Sequence, residues 1–450
     1  MTSTPAPGVK TVGMEIGWNA DGARIISSQL GESAEWLESR LTAVEMLKRT
    51  PWPNPTHESW RRTDPRLIGQ RLFKLWHPTA TRKAVAFSGQ DSGSVNLGGS
   101  RLSLVNCLPV EQLLTGGHGK SGIAFQPLSA ALNNGSRKFV SPELWGLETD
   151  ADSPALDLAL RAFWQGGAYL RVPDGVDAQT PLHLRHHIDT PQTALFVRNV
   201  LKVGEAAQVD VLLEQTAVGV EPAWFGGQTL VSIGAGAQLN LIIINRADEA
   251  VRFYDHLQIR LERDARLTLT WADLTRGWAV VRRDLTAAGA GAEAHLHGVH
   301  IGAADGHLDL RTRQEHPAPA TVSELLYKAV LFDQSQSVFQ GLIRVEPEAV
   351  NANAYQLNRN LLMDAGARAD SIPKLEIMVD EVRCTHGASS GKVEPEALFY
   401  LMSRGMSRRD ATRLMVEGFL KEAGEQIKDA GLHSYWRNQV QARLSEVSAS

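Results

Sequence analysis

Four copies of one short phrase indicate the fold: Ala207-Gln-Val-Asp-Val211, Ala237-Gln-Leu-Asn-Leu241, Ala265-Arg-Leu-Thr-Leu269 and Ala292-Glu-Ala-His-Leu296. In each copy a small alanine follows a turn residue and precedes alternating polar and apolar residues. The alanines lie 27 to 30 residues apart. Alternation with a period of two is typical of a β-strand, and a repeat of this length is typical of stacked repeat architectures.

Strand-like alternation extends beyond these copies, from about Tyr169 to Val382. No segment between the strands suits the helical crossover of a βαβ unit, which disfavours a doubly wound sheet. We therefore predict a mainly β protein built as a β-solenoid, in which each coil stacks on the previous one. A β-sandwich whose spacing arises by chance is the alternative.

Helical periodicity occurs on both sides of this region. Upstream, apolar residues recur at three- and four-residue spacing within 33–48, and a second helix is predicted around 157–165. Downstream, Ser407 and Asp410 form a capping-box pattern at the start of a helix. The apolar face predicted for that helix contains Ala411, Leu414, Met415, Gly418 and Phe419.

These patterns divide the chain into three parts: an N-terminal helical or mixed region (1–165), a β core (166–385) and a C-terminal helical region (386–450). The C-terminal helices either cap the solenoid or provide a docking surface for a partner. If a partner docks there, the candidate contacts are Phe399, Met402, Met406 and Phe419.

Composition limits the function. The 450 residues carry 46 Lys and Arg against 50 Asp and Glu, so binding of nucleic acid through bulk positive charge is not expected. Two cysteines cannot form a disulfide framework, which favours a reducing compartment. Residues 1–24 lack the pattern of a signal peptide, and the longest aliphatic run, 239–244, is far below the roughly 20 residues that cross a bilayer. We expect a cytoplasmic protein without membrane contact.

Two short motifs match enzyme signatures without the required context. Gly116-Gly-His-Gly-Lys-Ser121 has Leu114 where a phosphate-binding loop needs glycine, so a surface loop is favoured over nucleotide binding. Gly387-Ala-Ser-Ser-Gly391 matches a nucleophile elbow around Ser389, but no acid and histidine follow it in hydrolase order. Neither a nucleotide site nor a hydrolase is predicted.

Histidines and cysteines offer further candidates. His295 and His297 share one strand face and could ligate zinc or iron, although hydrogen-bonded or solvated strand histidines are favoured. Cys384 and His386 are a sharper pair, because residues i and i+2 of a strand point to one face and thiolate with imidazole binds metals. A buried cysteine beside a satisfied histidine is the alternative. Cys107 is interpreted as a core thiol.

Longer segments around this pair match a known family. They are Pro373-Lys-Leu-Glu-Ile-Met-Val-Asp-Glu-Val-Arg-Cys-Thr-His-Gly-Ala-Ser-Ser-Gly-Lys392, Ala397-Leu-Phe-Tyr-Leu-Met-Ser-Arg-Gly405 and Val416-Glu-Gly-Phe419. Upstream segments are His316-Pro-Ala-Pro-Ala-Thr-Val-Ser323, Val338-Phe-Gln-Gly-Leu-Ile343, Gln356-Leu-Asn-Arg-Asn-Leu-Leu362 and Glu58-Ser-Trp-Arg-Arg-Thr-Asp64. Together they resemble the SufB/SufD family of iron-sulfur cluster assembly scaffolds. The Cys384-Thr-His-Gly-Ala form is most like SufD, whereas 389–392 and 415–419 lean toward SufB.

The resemblance implies a right-handed parallel β-helix flanked by N- and C-terminal helical regions. It also implies a non-catalytic scaffold subunit of the SUF system that pairs with SufB through β-helix edges and binds the ABC-type ATPase SufC through its C-terminal helices. His386, with Cys384 nearby, would lie at the SufB interface, where a transient iron-sulfur cluster or iron is held. No nucleotide is expected on this chain, and a homodimer of the isolated chain is left open.

Three competing interpretations remain at this point. The chain could be a SufB-type paralogue of the same family. It could be a purely structural adaptor, in which no interface side chain is chemically required. A β-helix carbohydrate-active enzyme would instead need carboxylates and basic groups clustered along one face, usually with an export signal, and the sequence offers no such signal.

Overall fold

A computed structural model describes residues 13–68, 73–78, 97–115, 117–133, 154–219 and 221–447. Strands make up 45% of the chain, so the protein is mainly β. The helices are α1 (Ala20–Leu30), α2 (Ala34–Arg49), α3 (Leu128–Leu132), α4 (Pro154–Phe163), α5 (Pro395–Ser403), α6 (Arg408–Gly424) and α7 (Ala430–Val447).

The strands before the repeated region are β1 (Gly13–Ile16), β2 (Lys74–Pro78), β3 (Ser100–Val105), β4 (Leu108–Leu113) and β5 (Ala124–Pro127). Those of the repeated region are β6 (Ala168–Val172), β7 (Leu182–Ile188), β8 (Thr193–Val203), β9 (Gln208–Ala217), β10 (Ala223–Ile233), β11 (Gln238–Ala247), β12 (Val251–Leu261), β13 (Arg266–Asp273), β14 (Trp278–Ala287), β15 (Glu293–Gly302), β16 (His307–His316), β17 (Val322–Leu331), β18 (Gln336–Val345), β19 (Asn353–Leu362), β20 (Arg368–Ile377) and β21 (Arg383–Lys392).

Strands β6 to β21 form a solenoid of about 8 coils. Even-numbered strands from β8 to β20 make one sheet, and odd-numbered strands from β7 to β21 make the other. Neighbours within each sheet are parallel, and Gln208, Gln238, Arg266 and Glu293 follow one another in register across four coils. The predicted stacked coils are confirmed. The alternative of a chance-spaced β-sandwich is wrong, because successive strands alternate between two parallel sheets.

The repeated phrase marks one corner of each coil. Its alanines, Ala207, Ala237, Ala265 and Ala292, are buried immediately before β9, β11, β13 and β15. The residue before each alanine has a positive φ, between 53° and 72°. This left-handed conformation turns the chain sharply, and glycine supplies it without strain at two of the four corners. A turn residue followed by a small buried residue is therefore the local cause of the repeat.

Polar side chains inside the solenoid form hydrogen bonds along the stack. Gln215 Nε2 donates to Asn245 Oδ1 at 3.0 Å, and Asn245 Nδ2 donates to Asp273 Oδ1 at 2.9 Å. These residues are register partners in β9, β11 and β13. Parallel strands lie about 4.8 Å apart, a spacing that suits a bond between neighbouring polar side chains. Buried polar groups thus find partners in the adjacent coil.

The N-terminal region covers the outer face of the even-numbered sheet. Helices α1, α2 and α4 share one apolar core with Phe196, Trp224 and Tyr254 of that sheet. Helices α2 and α4 confirm the helices predicted near 33–48 and 157–165. The 58–64 segment also packs on this sheet: the carbonyl of Ser59 accepts hydrogen bonds from Arg311 at 2.9 Å and from Gln340 at 3.1 Å.

The C-terminal helices α6 and α7 pack on the outer face of the odd-numbered sheet. The predicted capping box is confirmed, because the backbone N–H of Asp410 donates to Ser407 Oγ at 3.1 Å. The predicted apolar face is partly wrong, since Leu414 is 48% exposed whereas Val416 and Leu420 are buried. The helix carries two adjacent apolar stripes. One of them meets the sheet, and the other lines a groove beside α7.

The transition from solenoid to helices lies later than the predicted boundary at 385. Strand β21 continues to Lys392 because all of its residues pair in register with β19, and α5 begins at Pro395. Cys384 and His386 therefore lie within the last coil. No helix of the described residues has the length and apolar character that crossing a membrane requires.

Candidate functional site at the open end of the solenoid

The solenoid ends in an open coil formed by β20 and β21. Each strand is the last of its sheet and pairs with one described neighbour, β18 or β19. Leu375 and Ile377 continue the inward-facing rows of Ile343 and Val345, yet they are 36% and 41% exposed. Two strand edges and the apolar interior of the solenoid are thus open to a partner.

Cys384 and His386 lie on this open coil and face the solenoid interior. They pair in register with the buried residues Ala354 and Gln356 of β19. Cys384 packs against the small apolar cluster that contains Ala354 and Ile343. His386 is exposed, because the described residues place no further coil over β21. The end of the stack therefore presents both side chains to solvent or to a partner.

The two side chains differ in their readiness to react. Burial raises the pKa of the Cys384 thiol above its ordinary value, so the thiolate that binds metals is disfavoured at neutral pH. His386 has no hydrogen-bond or ion-pair partner among the described residues, which leaves its ring nitrogens available. The described residues hold no group of three or more histidine, cysteine or acidic side chains arranged around one metal position.

Buried amides of β19 lie beneath the pair and bond to serine hydroxyls of the open coil. Asn358 Oδ1 accepts from Ser371 Oγ of β20 at 2.5 Å, and Asn360 Nδ2 donates to Ser390 Oγ of β21 at 3.1 Å. Gln356 donates from Nε2 to the carbonyl of Gly341 at 3.3 Å. The two serine contacts hold β20 and β21 to β19 from the inside, and the Gln356 contact joins β19 to β18.

Sequence reasoning assigned no role to this buried polar layer. Gln356, Asn358 and Asn360 lie within the 356–362 segment, whose resemblance to the family implies no role for them. Their spacing of two residues on a strand was the available signal, because it places three amides on a face that is apolar in most other coils.

The candidate docking residues of the C-terminal helices separate into two groups. Phe399 and Met402 on α5 are 73% and 40% exposed. Met406, between α5 and α6, is half-buried. Phe419 is also half-buried, and Lys328 Nζ of β17 lies 5.0 Å from its ring centroid and donates to its carbonyl at 2.8 Å. Phe419 therefore belongs mainly to the contact between α6 and the sheet. Phe399 and Met402 instead form an exposed apolar surface on α5.

A groove of about 330 Å³ runs between α6 and α7. Sequence reasoning missed it, because its lining comes from two helices whose relative position depends on tertiary packing. Its apolar lining residues are Leu414, Leu420, Trp436, Val440 and Leu444.

The other strand histidines do not share one arrangement: His297 is buried, and neither of its ring nitrogens has a hydrogen-bond partner among the described residues. His295 lies 2.8 Å from Glu293 and 3.2 Å from Glu324, so carboxylates that the sequence did not place do stand beside it. Burial lowers the pKa of His297 and of His300 to about 4, which keeps both neutral at physiological pH. His300 donates a hydrogen bond from Nδ1 to the carbonyl of Asp273, 2.7 Å away.

The two enzyme-like motifs have no catalytic geometry. Ser389 lies within the regular strand β21, paired with Arg359, and not on a strand-to-helix turn. In the 116–121 loop, Gly116 lies outside the described residues. His118 of this loop is buried against Ser100 Oγ at 2.7 Å, and the chain continues into strand β5, not into a helix that would bind phosphate.

Comparison with known proteins places this site within a shared domain. The family described as "SUF system FeS cluster assembly, SufBD core domain" matches residues 186–419, more than half of the chain. The chain belongs to the SufBD family. The matched SufBD core contains β8 to β21, the Cys384 and His386 pair, and the C-terminal helices as far as Phe419.

Relatives in the SufBD family are named as iron-sulfur cluster assembly proteins. The chain is 29% identical to SufD of Escherichia coli (strain K12), over 65% of this chain and 64% of that protein. It is also 29% identical to SufD of Bacillus subtilis (strain 168), over 60% of this chain and 62% of that protein. SufB of Bacillus subtilis (strain 168) is 26% identical over 88% of this chain and 86% of that protein. The matches thus span less than two thirds of either SufD.

Proposed function

We propose that this chain is a SufD-type, non-catalytic scaffold subunit of a cytoplasmic SUF iron-sulfur cluster assembly complex. The open coil of β20 and β21 carries the proposal. It brings together two strand edges with no partner among the described residues, the exposed apolar side chains of Leu375 and Ile377, and the Cys384 and His386 pair. The similarity to two SufD proteins supports the subtype.

In this proposal, a SufB-like subunit covers the open coil. An extended strand of the partner continues the β20 or β21 ladder through main-chain hydrogen bonds, which is a common mode of recognition at sheet edges. Its side chains bury Leu375, Ile377 and Met378, all of which are exposed in this chain. Burial of apolar surface contributes roughly 25 cal/mol per Å². A homodimer of the isolated chain would use the same edges.

The nascent cluster is the cargo of this interface. His386 supplies an imidazole that can ligate iron or relay a proton. The partner supplies the remaining ligands, since the described residues of this chain offer only Cys384 beside it. Cys384 has a smaller role, because its thiol is the disfavoured ligand form.

A SufC-like ATPase is proposed to dock on the C-terminal helices. Phe399 and Met402 form an exposed apolar surface on α5, and the groove between α6 and α7 is largely apolar. A partner helix in such a groove is a recurrent mode of binding. Because α5 begins three residues after β21 ends, movement of the docked helices is transmitted directly to the strand that carries His386. Nucleotide binding is assigned to the ATPase and not to this chain.

A SufB-type role is the second candidate, and one observation favours it. The similarity to SufB of Bacillus subtilis extends over 88% of this chain, further than that to either SufD. The two roles differ in the partner that they require. A SufD-type subunit pairs with a SufB-like chain, whereas a SufB-type subunit pairs with a SufD-like chain.

Co-expression of the tagged chain with SufB-like, SufD-like and SufC-like subunits tests the proposal. We expect a complex with the SufB-like and SufC-like subunits. Ile377→Asp should lose the SufB-like subunit and retain the SufC-like subunit, since it places a charge in the open coil. Leu113→Asp is the matched control, because Leu113 is an exposed apolar residue of β4, at the other end of the odd-numbered sheet.

Two outcomes count against the proposal. Retention of the SufB-like subunit by Ile377→Asp removes the open coil as the interface. Preferential capture of the SufD-like subunit by the wild-type chain favours the SufB-type role instead.

A further inference from the structure

Gln356 lies beside His386 on the inner face of the last two strands of the odd-numbered sheet. The two residues are register partners in the pair formed by β19 and β21. Gln356 is fully buried, and its Oε1 atom has no hydrogen-bond partner. His386 has no partner among the described residues either. An unpaired buried acceptor thus adjoins an imidazole with an unpaired N–H.

The solenoid makes the corresponding bond at other paired positions. Asn199 Nδ2 donates to its register partner Thr229 at 3.1 Å, and Gln228 Nε2 donates to its register partner Gln258 at 3.1 Å. On β19 and β21 themselves, the bond from Asn360 to Ser390 is formed. The spacing of these two strands therefore suits a side-chain hydrogen bond between paired residues.

We propose that Gln356 is the positioning residue of His386: its Oε1 accepts a hydrogen bond from one imidazole nitrogen, and the lone pair of the other nitrogen faces the open coil. This inference rests on the proposed role of His386. A neutral imidazole carries one N–H, and the group that accepts this N–H selects the tautomer and the ring orientation. Ligating histidines in proteins usually have such a partner behind them.

The free energy of the buried amide favours the same arrangement. A buried acceptor without a partner loses its hydration and gains nothing in return, so a bond from the neighbouring imidazole relieves that cost. The Nε2 atom of Gln356 is already directed to the carbonyl of Gly341. This contact fixes Nε2 as the donor end of the amide, and it leaves Oε1, which also lies against Gly341, without a partner in the free chain.

Matched substitutions test this role in the full chain. Gln356→Met keeps the length of the side chain and removes the acceptor. Gln215→Met is the control, because Gln215 is also a fully buried inner-face amide of the same sheet with an unpaired Oε1, but it lies on β9, far along the stack. The readout is the ¹³Cδ2 resonance of His386 in ¹³C-histidine-labelled protein, which reports the tautomer. His386→Asn assigns this resonance by its loss.

The wild-type chain should show one dominant tautomer of His386 at a pH where the ring is neutral. Gln356→Met should shift the resonance toward the position of a tautomer mixture, and Gln215→Met should leave it unchanged. Gln356→Glu keeps an acceptor and should retain a single tautomer. An identical resonance in the wild type and in Gln356→Met overturns the proposal, and so does an equal shift in both methionine variants.

A second readout separates this inference from the proposed function. In the co-expressed complex, Gln356→Met should lower cluster content on the order of tenfold, as expected for the loss of a group that orients a ligand. If the tautomer shifts but His386→Ala retains full cluster content, Gln356 positions His386 and the proposed function of His386 fails. If His386→Ala loses the cluster while Gln356→Met does not alter the tautomer, only the positioning role fails.

Discussion

The hydroxyl of Tyr435 on α7 donates a hydrogen bond to the buried carboxylate of Glu214 on β9, 221 residues earlier in the chain. The same carboxylate lies 2.5 Å from His183 Nε2 and 3.2 Å from Arg185 Nε. A buried hydrogen bond thus joins the last helix, α7, to strand β9 of the odd-numbered sheet. Helix α7 is therefore anchored far from the open coil, where α5 begins.

Glu214→Gln should change the pH dependence of stability. Burial alone would raise the pKa of Glu214, but the hydrogen bond and charge of His183, with Arg185 and Tyr435, lower it to about 2 from 4.5. A carboxyl with a depressed folded-state pKa stabilises the protein above its unfolded pKa, and this contribution is lost as the pH falls from 4.5 toward 2. In chemical denaturation, Glu214→Gln should have a free energy of unfolding that is lower than that of the wild type by roughly 3 kcal/mol at neutral pH. Its free energy of unfolding should also fall less steeply than that of the wild type as the pH is lowered.

The matched variant for this prediction is Tyr435→Phe, which removes one hydrogen bond and keeps the carboxylate. In Tyr435→Phe, the free energy of unfolding should fall with decreasing pH about as steeply as in the wild type, because His183 and Arg185 still hold Glu214 ionised. The prediction would be contradicted if the free energy of unfolding fell equally steeply with decreasing pH in the wild type and in Glu214→Gln.

Lys328→Met should loosen α6 from the sheet. Lys328 is buried on β17, and its Nζ lies 2.6 Å from Glu422 Oε2 and donates to the carbonyl of Phe419. Loss of these bonds should lower the free energy of unfolding by roughly 1–3 kcal/mol and increase hydrogen exchange in α6. Lys421→Met is the control, because that lysine is exposed and, within the described part of the chain, its ion pair is the i,i+4 pair with Glu425. Equal exchange in both variants would exclude the anchoring role.

His386→Ala should lower the cluster content of the co-expressed complex and leave assembly and melting temperature unchanged. The side chain is exposed and has no partner among the described residues, so its removal costs no packing. Visible absorbance with iron and sulfide assays measures the cluster. Cys384→Ala should have an intermediate effect, and Ser389→Ala should have little effect.

The outcome for His386→Ala also decides between two interpretations. Wild-type cluster content in this variant would favour the purely structural adaptor. A collapse in melting temperature would make His386 a structural residue of the last coil.

Phe399→Asp should abolish binding of the SufC-like ATPase without loss of stability. Phe399 is the most exposed of the candidate docking residues, and a charge there adds no strain to the fold. Val416→Asp is the contrasting variant, since Val416 is buried between α6 and the sheet and its replacement should unfold the C-terminal region. Pull-down and a melting curve for each variant provide the measurement. Undiminished ATPase binding by Phe399→Asp, or by a chain that lacks 394–421, would place the docking site elsewhere.

Local patterns were sufficient to predict the coils and the helices α2, α4 and α6 of this fold. A left-handed residue followed by a small alanine turns the chain wherever it occurs, so the repeats at Ala207, Ala237 and Ala265 indicated stacked coils. The cap at Ser407 indicated the start of α6 for the same reason, because its hydrogen bond spans three residues. The shared face of Cys384 and His386 also follows from the two-residue period of a strand.

Tertiary structure alone decided what those side chains meet. Register between strands about 30 residues apart places His386 beside Gln356, and no local pattern encodes that register. Packing of α6 on both the sheet and α7 sends Leu414 to the surface and Val416 into the core, although both lie on apolar stripes of one helix. The sequence by itself thus determined the coils, the caps and the pairing of Cys384 with His386, because these depend on residues close together in the chain. Exposure of the last coil and the buried amides beneath it arise from contacts between distant segments, which only the folded chain brings together.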